Sequence, residues 1–311
     1  MLNQMVSPIK RKFLSVLAVS AMVFSLASCT DSSTNANEAA ELLTDSIPQI
    51  EGHGDGGLSG SVVKYKGEIF SIPSPIQTAL LIRESEIPYN EFLLNPASSY
   101  QNYVNQFQKA MNMGVYGADL AYLSNFDNTA MSIEYFTIVE RLADDLGIKN
   151  NINPTIISRF HASSEIRDSL YVLNAELYRE VNQYLKDNER NEAASLILAG
   201  GWIEALHIAL DVAQSNSDIR LRIGEQRSAL TSLVALLSKY DDSQVNQVRK
   251  GLTDVLRIYD SMEYSYVFEE PITDEDEKTT YFNCKSSVDV TNDHVDQIKV
   301  KLSEIRTIII S

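Results

Sequence analysis

The chain has 311 residues, with 26 Lys and Arg against 42 Asp and Glu, and a formal net charge of −16 when His is neutral. A carboxylate excess of this size repels phosphate backbones and anionic headgroups, which excludes nucleic acid as a partner and docking onto bilayer charge. Two cysteines, Cys29 and Cys284, are too few for a disulfide framework or a Cys-based zinc site.

Lys10, Arg11 and Lys12 precede a run from Phe13 to Leu26 that is apolar apart from Ser15, Ser20 and Ser25. Ala27 and Ser28 then supply small residues before Cys29. A basic start, an apolar stretch of roughly 7–15 residues and small residues at the cut make a secretory signal. A spanning helix wants about 20 largely apolar residues, and polar residues follow Cys29 at once, so residues 1–28 are expected to be a cleaved signal peptide. The order Leu26-Ala27-Ser28-Cys29 resembles the lipobox of bacterial lipoproteins. That resemblance implies an N-terminal diacylglyceryl and acyl modification at Cys29, and no other cofactor is expected. One acyl chain holds a protein marginally and several hold it stably, so the membrane becomes a partner through the lipid anchor. Thr30, rather than an Asp, directly after the Cys favours the outer membrane by resemblance to enterobacterial sorting. Loss of residues 1–28 removes three basic and no acidic residues, which takes the charge to −19.

Residues 29–70, rich in Ser, Asn, Asp and Gly through His53-Gly54-Asp55-Gly56-Gly57, read as a flexible tether. Residues 71–311 then read as one helical domain, long enough to bury a sizeable core. Ser74 and Pro75 open a short helix that Pro88 ends. Ser98 or Ser99 caps a second, with Tyr100, Tyr103, Val104, Phe107, Ala110 and Met111 on one face. It runs into Met113–Leu123, which is apolar nearly all round and so belongs at the centre of the body. Asp127 or Asn128 opens a helix stopped by Gly147, Asn153-Pro154 starts a short one, and Ser163 or Ser164 a long one through Tyr184. Glu192 to Gln214 follows, with an interruption expected at Gly200-Gly201.

The last third is the most regular. Ile219, Ile223, Gln226, Leu230, Leu233 and Leu237 face one way, and after a turn at Tyr240–Ser243, Val245, Val248, Leu252, Val255, Tyr259, Met262 and Tyr266 face the other. Two such seams predict a long antiparallel helical hairpin. Glu269 to Thr280 reads as an acidic loop, and Thr291 or Asn292 caps a final helix. The expected fold class is all-α, a multi-helix bundle, with no convincing strand.

Few polar residues stand out against this pattern. Asp119 lies in the apolar helix beside Tyr116 and Tyr122, and a buried carboxylate must be paired, hydrogen-bonded or neutralised. A ligand or proton-transfer site with those tyrosines is one reading, and a satisfied structural carboxylate the other. Glu204, His207 and Asp211 share one face just after Trp202. Glu-x-x-His is half of a di-iron motif, but no second copy exists, and the His-Glu-x-x-His zinc pattern is absent. No metal site and no catalytic residue is therefore assigned. Tyr116, Asp119, Tyr122, Trp202, Glu204, His207 and Asp211 are the candidate ligand-binding residues. Asp274–Glu277 lacks the glycine and spacing of a calcium loop. With Cys29 lipidated, Cys284 is left as a buried inert thiol or an intermolecular partner.

The stretches Ala110–Tyr122 and Gly200-Gly201-Trp202-Ile203-Glu204-Ala205-Leu206 resemble a group of uncharacterised helical lipoproteins from Bacteroidetes. The resemblance spans about Ile72 to Ile310 and implies an exported, lipidated, helical protein. It carries no catalytic residue. In such bacteria a surface signal places Lys or several acids soon after the Cys, and Thr30-Asp31-Ser32-Ser33 differs, which favours a body facing the periplasm. The expected function is a membrane-anchored binding or scaffold module of the cell envelope, with a protein or small-molecule partner. The alternative is an envelope hydrolase or metal-dependent enzyme using the acidic and His-bearing helix face.

Overall fold

The computed structural model describes residues 61–311 apart from 66–67, 73–78, 80–81, 84–86, 127, 163–166, 215, 275–278 and 282–284. The signal segment, Cys29, His53, most of the tether, the opening at Ser74-Pro75 and Cys284 lie outside the described residues. All described residues belong to the unit Asn35–Ser311.

The fold is all-α and multi-helical. Its helices are α1 (Gln106–Leu123), α2 (Thr129–Asp145), α3 (Pro154–Ala162), α4 (Arg167–Asp187) and α5 (Asn191–Val212). They continue with α6 (Ser217–Gly224), α7 (Arg227–Leu237), α8 (Ser243–Asp260) and α9 (Asn292–Ile310). Short antiparallel pairs accompany them: β1 (Ser61–Tyr65) with β2 (Glu68–Ile72), β3 (Glu263–Val267) with β6 (Lys285–Asp289), and β4 (Ile272–Asp274) with β5 (Thr279–Tyr281).

These strands correct the expectation of none, in two places. β1 and the start of β2 fall inside the span assigned to the tether, and Phe70 and Ile72 are buried in the core. The body thus begins before residue 71. The Val-Val and Ile-Phe-Ser-Ile pairs were short enough to be lost beside the Gly-rich stretch. The span from Glu269 to Thr280 is likewise no simple loop, since β4 and β5 pair within it. Helical spacing also ran past its end at Met262 and Tyr266. α8 stops at Asp260, and Glu-Tyr-Ser-Tyr-Val, with its aromatic and β-branched residues, goes into β3.

Three helix boundaries differ as well. Ser98 and Ser99 sit in a 3-10 turn, Ala97–Asn102. α1 starts later, where Asn105 and Gln108 form a reciprocal capping box. Ile219 to Leu237 is two helices, α6 and α7, parted at Glu225-Gln226. α8 touches α7 across a short turn but meets α9 more extensively. Its seam of Val245, Val248, Leu252, Val255 and Tyr259 is buried against Val295, Ile298, Leu302, Ile305 and Ile309 in one core. As expected, Asn128 caps α2, Gly147 ends it at φ 69°, and Thr291 caps α9, here with His294 completing a capping box.

Helix α5 runs unbroken through Gly200-Gly201. These glycines mark its contact with α1, the most extensive helix–helix contact of the body. A Cβ on Gly200 would stand 1.9 Å from the Met111 carbonyl oxygen, and one on Gly114 2.0 Å from that of Ile197. Only glycine lets the two backbones meet so closely. α1 is buried from Ala110 to Leu123 and α5 nearly throughout. By length and composition α5 could cross a membrane, yet 89% of its apolar window is buried inside the body, as in a core helix.

Gly117 differs from Gly114, for nothing lies within 4 Å of a Cβ placed there. It borders a cavity of about 20 Å³ with Met113, Val139, Leu177 and Tyr178. Gly117→Ala is expected to stabilise the protein by about 0.5–1 kcal/mol through helix propensity. Gly114→Ala, three residues away, is expected to destabilise it by ~1–3 kcal/mol or more through overpacking against backbone. Urea unfolding midpoints of the two variants measure this, and shifts of the same sign would contradict the packing described.

Candidate functional site

The α1–α5 contact places two carboxylates side by side, Asp119 from α1 and Glu204 from α5, both fully buried. Arg306 of α9 closes the cluster. Its Nε and Nη2 donate to the two oxygens of Glu204, each at 2.7 Å, and Nη2 also donates to the Leu93 carbonyl at 3.2 Å. Such a bidentate pair fixes both orientation and charge. Asp119 Oδ2 accepts the Asn95 backbone N–H at 3.1 Å, and Oδ1 meets no hydrogen-bond partner among the described residues.

Three ionisable groups thus share one dry site with a single positive charge. Burial raises the Asp119 pKa well above its ordinary 3.8, and the Glu204 charge adds to this. Arg306 and the Asn95 N–H oppose it. Burial and the neighbouring Glu204 charge thus favour the neutral form of Asp119, beside the ion pair of Glu204 and Arg306.

The tyrosines expected to complete a site with Asp119 turn elsewhere. Tyr116 donates its hydroxyl to the Pro96 carbonyl at 2.8 Å, and Tyr122 accepts the Asn90 N–H at 2.9 Å. Tyr135 donates to the Asn95 carbonyl at 2.8 Å, and the Asn95 side-chain amide donates to Tyr103 at 2.9 Å. The rings of Tyr103, Tyr116 and Tyr135 meet at tilted or edge-on angles. Together they pin the segment Asn90–Pro96 over the cluster as a cover whose backbone groups are satisfied from below.

Of the face Glu204, His207 and Asp211, only Glu204 reaches the centre. Asp211 is more exposed and pairs with Lys299 Nζ at 3.1 Å, and it accepts the Asn90 side-chain amide at 3.5 Å. His207 sits between them, and burial holds its pKa below 6.5 against the pull of Glu204. The imidazole is neutral at neutral pH. Trp202 is two residues from Glu204, about 200° around the helix. Its indole N–H donates to Gln226 at 3.4 Å beside a separate cavity of about 30 Å³ lined by Ile82, Leu206, Ile219 and Ile223.

The sequence residues thus divide into a sealed cluster, a half-exposed rim and an unrelated cavity. Arg306 and Asn95 are the partners that sequence reasoning missed. Arg306 had a signal, a cation set against the apolar seam of Leu302, Ile305 and Ile309. Asn95 had none beyond its place before Pro96. Among the described residues no group of three or more His, Cys, Asp or Glu side chains could hold a metal ion. Both Glu204 oxygens are committed to Arg306. Neither Asp119 nor Glu204 lines any of the three cavities described, the third being an open groove of about 570 Å³ where α1, α5 and α8 begin. Set against known proteins, the chain matches no family model, no curated sequence and no solved structure.

Removing one partner of a buried charge pair strands the other, at a cost of about 3–5 kcal/mol. Arg306→Met is expected to lose that much stability. Asp119→Asn keeps the shape of the acid without its charge, so its cost at neutral pH is expected to be under ~1 kcal/mol. The pH dependence separates it from wild type. An acid whose folded pKa is raised leaves full stability below pH 3.8 and loses it as pH climbs toward the folded value. The wild type should therefore lose up to about 1.4 kcal/mol per pH unit relative to Asp119→Asn across that window. Parallel stability curves for the two proteins would show that Asp119 is not the proton carrier.

Proposed function

We propose that the protein is a lipid-anchored helical binding module of the cell envelope, tethered to the outer membrane at Cys29 with its body in the periplasm. Its partner is an envelope protein. The anchor rests on the lipobox-like Leu26-Ala27-Ser28-Cys29 after a basic and apolar leader. The resemblance to Bacteroidetes lipoproteins supports the same reading, and membership in that group is part of the proposal.

One observation carries the binding half. The residues with catalytic potential are occupied in holding the core together, while large apolar side chains gather on the surface of one β segment. Tyr264, Tyr266, Val267, Phe268 and Ile272 are 45%, 65%, 54%, 66% and 62% exposed. Exposed apolar residues scattered singly are ordinary, but a run of them on one short segment marks a contact surface. A small-molecule reading has the open groove of about 570 Å³ in its favour, a volume in the range that holds such ligands.

The anchor is tested by fractionating cells that express Cys29→Ala. Wild type is expected in the membrane fraction and the variant in the soluble one. Retention of the variant with the membranes would overturn the anchoring half of the proposal.

A further inference from the structure

The surface just described is a β-arm. β3 pairs with β6 in the register Tyr264–Val288, Ser265–Ser287, Tyr266–Ser286 and Val267–Lys285. Alternation puts Tyr264 and Val288 on one face, and this face rests on the body. The Tyr264 hydroxyl donates to the Gly224 carbonyl at 3.3 Å, and the Arg227 guanidinium lies 5.6 Å from the Tyr264 ring centroid. A Cβ on Gly224 would stand 2.5 Å from Val288, so the root of the arm sits closely on α6. Beyond this root support thins. All five residues of β3 are exposed, and Val267, Phe268 and Ile272 carry apolar side chains into solvent.

Two features limit what can cover this surface. Among the described residues β3 pairs with β6 alone, so its other edge offers main-chain donors and acceptors that no described strand takes. A two-stranded ribbon is marginal by itself and gains from a third strand. The arm is also strongly acidic. From Glu263 to Asp289 the sequence holds eight Asp and Glu against Lys278 and Lys285. Glu263, Glu270 and Asp289 are exposed and Glu269 is partly so, and they border the apolar residues. Charges of one sign on an edge prevent pairing with like edges, so a second copy of this arm is repelled. An anionic bilayer surface is repelled for the same reason. The same charges attract a cationic strand, which makes the edge selective rather than closed.

We propose that the open edge of β3 receives, as a third strand, an extended segment of a protein partner in which apolar and basic residues alternate. Main-chain hydrogen bonds give the pairing. Phe268 and Ile272 contact the apolar side chains on one face, and Glu263 and Glu269 lie toward the Lys or Arg residues on the other. This names the partner chemistry for the binding module proposed above and rests on that reading.

The probe is a fluorescent twelve-residue peptide of alternating Val and Lys, titrated by anisotropy into the full lipidated chain in nonionic detergent micelles. The arm variant Phe268→Ser/Ile272→Ser leaves the charge unchanged and alters only exposed side chains, so its circular dichroism should match wild type. It is expected to weaken binding about tenfold. The same peptide N-methylated at every residue has no N–H to give to a ladder and should bind as weakly. An alternating Val and Glu peptide should not bind. Equal binding of wild type and arm variant, or of the plain and methylated peptides, would overturn the proposal by reducing the contact to diffuse charge attraction. Dimers of the chain that the arm variant dissolves would overturn it in favour of a second copy. Failure of all peptides to bind a chain that Cys29 still holds in the membrane fraction would remove the arm proposal and leave the anchor standing.

Discussion

Two helices that touch backbone to backbone govern the rest of this body. α1 and α5 are each buried on nearly every side, so neither has a solvent face to set its orientation. Gly114 and Gly200 replace that missing cue with a steric one, because each admits a carbonyl of the opposite helix where any side chain would collide. The contact also decides where polar atoms must go. A residue on the inner side of either helix beyond the glycines meets the other helix and no water, and for Asp119 and Glu204 that means meeting one another.

The cluster that results shows how such a core tolerates charge. Two buried carboxylates repel, and the Arg306 guanidinium offsets this by pairing with Glu204, while burial favours the neutral form of Asp119. Arg306 brings α9 to the α1–α5 pair, and its remaining N–H holds the Leu93 carbonyl of the cover. Asn112 repeats the device further along, donating from α1 to the Ile309 carbonyl at 2.7 Å. Polar contacts of this kind add little net stability over well-packed hydrocarbon, but they allow few alternative arrangements. Here they select one position of α9 against α1, while the apolar seam shared with α8 supplies the burial.

The helical class was legible because Leu, Ile and Val recur at three and four residues over most of the length, and caps such as Asn128 and Thr291 stand where that recurrence begins. Glycines were legible as special but ambiguous. Gly200-Gly201 reads equally as a break or as a contact, and only the facing Met111 decides between them. The β-arm was hidden because Met262 and Tyr266 extend the α8 spacing by chance, and because an aromatic on an exposed strand carries no period of its own. At the site, Asp119 was conspicuous as one acid among apolar residues. Its environment was not, since Asn95, Glu204 and Arg306 lie far apart along the chain and no local pattern links them.

That separation bears on how the body forms. Arg306 reaches the Leu93 carbonyl across 213 positions and Glu204 across 102, and Asn112 reaches Ile309 across 197. The contacts to Leu93 and Ile309 close loops spanning most of the described body and that to Glu204 a shorter one, and loops of such length close late and at an entropic cost. Until α9 docks, the α1–α5 core holds two acids with no counterion, an unfavourable intermediate. Assembly of the centre is thereby coupled to the arrival of its most distant helix, so the core should open and close as one cooperative unit and resist local fraying.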